Sequence, residues 1–107
     1  IDWGGHENNA EYLVSEVLDF DKTIGLALDF AQKDGNTLVV VTADHETGGY
    51  TLAANDGNYN ELKGSFSTGG HSTTLIPVFA YGPGSDAFRG VYQNNDIFEK
   101  MLKAIGK

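Results

Sequence analysis

The side chains best suited to chemistry are three histidines, and each has glycine or aspartate close by. His6 closes Asp2-Trp3-Gly4-Gly5-His6, His45 follows Asp44 at the end of an apolar run, and His71 follows Gly69-Gly70. Asp2 and His6 are separated so that one turn of backbone aims both side chains at a common point, and Gly4 and Gly5 allow close approach without Cβ clashes. Imidazole nitrogen with carboxylate oxygen suits Zn²⁺. Asp44 and His45 are adjacent and would face opposite ways in a regular strand, so serving one site together requires the strand to end there. Gly48 and Gly49 permit that turn. A lone loop histidine is more often surface decoration than a ligand, and Asp44 alone can simply cap the turn that leaves a strand. Taken together, the clustering beside Gly and Asp, in a chain with no cysteine, makes the bland reading depend on several coincidences.

Other motifs fare worse. Gly82-Pro83-Gly84 lacks the lysine of a phosphate-binding loop and the full dinucleotide fingerprint. The stretch from Asn55 to Asn60 fails the calcium-loop spacing. No Gly-x-Ser-x-Gly elbow exists, and Ser65, Ser67 and Ser72 have no recognisable nucleophile context. Glu7, Glu11 and Glu16 read as a solvated helix face.

The elements that must position the histidines follow from periodicity. Asn8 or Asn9 can cap a helix from about Ala10 to Val17, and Asp19 can cap a second, with Phe20, Ile24, Ala27, Leu28 and Ala31 on one face and Gly35 at its end. Thr37 to Thr42 and Leu75 to Tyr81 read as strands buried on both faces, with Pro77 favouring an edge or the start of the ladder. Between them, short strands at Tyr50 to Ala53 and Leu62 to Phe66 flank the turn-like Asn55-Asp56-Gly57-Asn58 as an inserted hairpin. A last helix, capped by Asn94 or Asn95, runs through Ile105. The expected class is α/β, a partial three-layer sandwich with a mainly parallel central sheet and helices on both faces. Ligands of such sheets bind at the carboxyl ends of the strands, where Asp44 and His45 fall.

Composition narrows the partners. Seven Lys+Arg against fifteen Asp+Glu leave a formal charge of −8, which argues against nucleic acid and leaves cations open. No apolar run approaches the roughly 20 residues of a membrane span. The reading is therefore of a soluble chain, with 107 residues forming one unit. Its opening at Ile1, without Met or a signal-peptide pattern, suggests a piece of something longer.

The motifs resemble a known family. Ile1-Asp2-Trp3-Gly4-Gly5-His6 resembles the IDWxxH segment of bacterial alkaline phosphatases, and Thr42-Ala43-Asp44-His45-Glu46-Thr47-Gly48-Gly49 resembles their second metal motif. Gly70-His71-Ser72 and the following Pro77 to Gly84 resemble the third motif and its strand. The resemblance covers essentially the whole chain and implies that residues 1 to 107 are the C-terminal part of one alkaline-phosphatase-like domain.

It also implies two Zn²⁺ and one Mg²⁺, hydrolysing small phosphate monoesters through a phosphoserine intermediate. Asp2, His6 and His71 would hold the first zinc, and Asp44 and His45 the second. Trp3 would tune the surroundings without performing chemistry, or simply pack beside the glycines. The nucleophilic serine, its arginine and most magnesium ligands would lie upstream of Ile1, so the chain alone is expected to hydrolyse no phosphate ester by the family mechanism. Export to the periplasm or another extracytoplasmic space, and a homodimer, are implied only by the family. A phosphodiesterase, sulfatase or phosphomutase of the same superfamily, or a non-catalytic metal-binding domain, are the competing readings.

Overall fold

The computed structural model describes residues 1–106. In chain order they form α1 (Asp2–His6), α2 (Ala10–Asp34), β1 (Val39–Val41), β2 (Thr51–Asn55), β3 (Asn58–Ser65), β4 (Phe79–Tyr81), a 3-10 turn at Ser85–Phe88 and α3 (Asp96–Ala104). This is the expected α/β content. Among the described residues no helix is long and apolar enough to cross a membrane.

The chain packs as two compact units, one built from Ile1–Phe20 with His45–Leu75 and the other from Asp21–Asp44 with Ile76 onward. Asn9 starts α2, its Oδ1 accepting the Tyr12 N–H at 3.1 Å, and Asn8 before it takes the left-handed conformation. Two helices were expected across this stretch, and the structure has one. No Gly or Pro interrupts it before Gly25, and an interior Asp19 costs only about 0.5 kcal/mol relative to Ala. Stopping and renucleating a helix costs more. Gly35 ends α2 at φ +70 as expected, with its N–H on the Ala31 carbonyl.

The parallel central sheet is corrected. β1 and β4 pair antiparallel, with Val39 opposite Tyr81, Val40 opposite Ala80 and Val41 opposite Phe79. A parallel pair needs a crossover, usually a helix, and the chain between these strands carries the β2–β3 hairpin instead. Both strands are shorter than expected, and Pro77 precedes β4 where its missing N–H costs no ladder bond.

In the first unit, β2 and β3 form the expected hairpin, extending further toward its turn than periodicity indicates. Asp56 and Gly57 both have positive φ, which is the primed turn that matches strand twist. Tyr50 and Phe66, just outside the ladder, meet ring to ring at 4.7 Å. In the second unit, Phe88 and Ala31 are buried. Lys100 donates to the Ala87 carbonyl and lies 4.1 Å over the Tyr92 ring, fastening α3 to the preceding loop. Asn95 occupies the first cap position of α3 without a side-chain cap bond, and Asp96 instead accepts the Gln93 N–H.

Candidate metal centre

The site is assembled within the first unit, from α1, the turn at residues 45–49 and the loop at residues 69–72. Residues Asp2 and His6 bracket α1, so the i, i+4 spacing puts both side chains on one face, with His6 Nε2 3.5 Å from Asp2 Oδ1. The glycines inside α1 are buried because backbone passes directly over them. A Cβ on Gly5 would sit 2.7 Å from the Thr47 carbonyl oxygen, and one on Gly4 2.8 Å from the Leu13 nitrogen. Gly48, at φ +90, turns the chain beside them.

Asp2, His6 and His71 each offer a ligand atom, and the three atoms lie within 4.8 Å of one another. Tetrahedral bonds of about 2.0–2.1 Å separate ligand atoms by roughly 3.4 Å, so the Asp2–His6 pair is already at ligand spacing. Hydrogen bonding sets the imidazole tautomers. His6 Nδ1 lies 2.9 Å from the Gly69 carbonyl oxygen, which can only accept, so Nδ1 carries the proton and Nε2 presents a lone pair. Thr47 donates its hydroxyl proton to Asp2 Oδ1 at 2.6 Å, which leaves His45 Nδ1, 3.2 Å away, to donate to the same hydroxyl oxygen. The His45 ring stacks on His71 at 3.7 Å between centroids, and His6 meets His71 at 5.2 Å.

The Thr47 hydrogen bond holds the Asp2 carboxyl below its ordinary value, with desolvation opposing and the three imidazoles adding. Glu46 is likewise lowered, by Ser72 first, against desolvation, with the Gly49, Ser72 and Tyr50 backbone contributing. One carboxylate and two imidazoles, with no thiolate, form a donor set that fits Zn²⁺ and leaves a coordination position open.

The first unit thus brings together Asp2, His6, His71 and the His45 ring. Asp44 is exposed and belongs to the second unit, beyond the end of β1. Trp3 is 69% exposed. Sequence reasoning missed Glu46 and Thr47 as working side chains. The available signal was a carboxylate and a hydroxyl placed directly between a histidine and Gly48-Gly49, where a turn folds them back on the neighbouring loops.

Comparison with known proteins points the same way. The alkaline phosphatase family model matches residues 1–65. The alkaline phosphatase of Escherichia fergusonii is 32% identical over 99% of this chain and 26% of its own length. The structure of alkaline phosphatase from the Antarctic bacterium TAB5 is 67% identical, with a TM-score of 0.90, over 96% of this chain and 32% of that one. A mutant of the TAB5 enzyme, 65% identical with a TM-score of 0.91, was solved with Mg bound in its M3 site. The chain therefore spans about a third or less of these relatives.

Proposed function

Because the chain belongs to the alkaline phosphatase family, we propose that it is the metal-holding part of a phosphate monoesterase. The observation that carries this is the convergence of Asp2, His6 and His71 with the His6 proton held on Gly69. In this reading Asp2, His6 and His71 hold one Zn²⁺, Asp44 and His45 contribute to a second, and Mg²⁺ is held mainly by residues outside this chain. When bound, the zinc ions offset charge on the transferring phosphoryl group and lower the pKa of a coordinated water toward ~7.

The chain's own residues prepare that site. Thr47 orients the Asp2 carboxylate and favours its ionised form. Gly69 and Thr47 hold the His6 and His45 tautomers, so each Nε2 is available as a donor. The nucleophile is a serine outside these residues, which becomes phosphorylated in turnover, and the strand edges of β1 and β4 pair with neighbours in a larger sheet covered by helices. An extracytoplasmic location and a homodimer complete the proposal by family.

Calorimetric titration of the 107-residue chain with Zn²⁺ tests the metal assignment. Binding is expected, and Asp2→Ala, His6→Ala or His71→Ala should each weaken it at least about tenfold. Zinc affinity unchanged in all three variants would defeat the assignment. Chelator-sensitive turnover of a chromogenic phosphate monoester by the same chain would overturn the external nucleophile.

A further inference from the structure

Glu46 is a carboxylate beside the metal centre to which the metal assignment gives no role. It lies between His45 and Thr47, yet it is not among the clustered donors. Its two oxygens face backbone amides instead. Oε1 accepts the Gly49 N–H at 2.7 Å, and Oε2 accepts the Ser72 N–H at 3.2 Å. Ser72 directly follows His71. On the other side of His71, the Gly70 carbonyl accepts the Gly48 N–H at 2.8 Å. The residues flanking His71 are therefore both tied to the turn that carries His45, one through backbone and one through the Glu46 side chain. His71, which lies between the two tied residues of its loop, stacks its ring on that of His45.

We propose that Glu46 is a positioning residue for the metal centre, a two-oxygen clamp that sets the His71 loop, and with it the His71 imidazole, against the His45 turn. The inference rests on the reading of Asp2, His6 and His71 as metal ligands. A carboxylate suits the task because it accepts at both ends and donates at neither, whereas an amide would turn an N–H toward one of the two amides. Loss of one end frees the loop on one side only, since the Gly48–Gly70 bond remains. Its effect should therefore be a loosening of the site rather than a collapse of the unit.

The test compares the wild-type chain with Glu46→Gln, Glu46→Ala and Asp2→Ala. It reads Zn²⁺ affinity by calorimetry, site geometry by the visible absorption of bound Co²⁺, and apo-state stability by thermal melting. Glu46→Ala should weaken Zn²⁺ binding by about tenfold to a hundredfold and alter the Co²⁺ spectrum, with Glu46→Gln in between because it keeps one acceptor. If Glu46→Ala does not fold, Glu46→Gln carries the comparison. Wild-type affinity and an unchanged Co²⁺ spectrum in a variant whose melting point alone has dropped would mean a purely structural role and would overturn the inference. Failure of the wild-type chain to bind Zn²⁺ would overturn the metal reading and this inference together, whereas binding lost in Asp2→Ala but intact in both Glu46 variants would overturn this inference alone.

Discussion

At the scale of single residues, the site depends on side chains that are not themselves expected to touch metal. Thr47 bridges Asp2 and His45 with one hydroxyl, a donor to the first and an acceptor from the second. Its bond stabilises the ionised form of Asp2, so the folded-state pKa lies below the unfolded one. That stabilisation is fully present above the ordinary aspartate value and disappears as pH falls through the lowered one. Thr47→Val should therefore be less stable than wild type near neutral pH, and the gap should close on acidification. Melting curves of the metal-free proteins across that range check it, and a gap of undiminished size at acid pH would show that Thr47 stabilises the fold by contacts other than its bond to ionised Asp2. His6 and Asp2 were legible as partners in the sequence because helical spacing is a local property. Thr47 and Glu46 were not, because the partners through which they join separate segments lie 45 and 26 residues away.

At the scale of elements, α1 does its work through glycine. The five-residue helix has buried Gly4 and Gly5, and the backbone of Thr47 passes over Gly5 at a distance a methyl group cannot share. Gly5→Ala must push the turn carrying His45, Glu46 and Thr47 away from α1, at a cost on the order of 1–3 kcal/mol. Urea denaturation of the metal-free protein should show that loss, while Gly25→Ala, with open space around it on α2, should be neutral or stabilising by up to about 1 kcal/mol. Equal effects at the two positions would contradict the close approach. Helix ends at Asn9 and Gly35 and the Asp56-Gly57 turn were readable from residue type, since each answers to backbone chemistry within a few residues. The continuity of α2 and the direction of β4 were not. Asp19 is an adequate cap in isolation but tolerable inside a helix, and antiparallel pairing follows from the connection between strands rather than from their composition.

At the scale of the whole chain, little apolar surface is hidden. Among the described residues the buried hydrophobic side chains are Leu13, Ala31 and Phe88, while Leu26 is 72% exposed and Phe30, one turn on, 63%. Large exposed apolar side chains one helical turn apart favour association despite the charge of −8. Sedimentation velocity should show species larger than a monomer that shift toward monomer in Leu26→Lys/Phe30→Lys, and a wild-type chain monomeric at every concentration would remove this expectation. Residue types and local spacing were enough to determine the α/β class, the histidine-bearing segments, the Asp2–His6 pair and the family. Tertiary structure alone decided that His71 stacks on His45, that Glu46 and Thr47 tie the three segments together, and that β1 and β4 run antiparallel. The division has one physical cause: capping, turn formation and helical spacing act within a few residues, whereas those contacts join residues tens of positions apart, and no local pattern encodes which distant amide a carboxylate will meet.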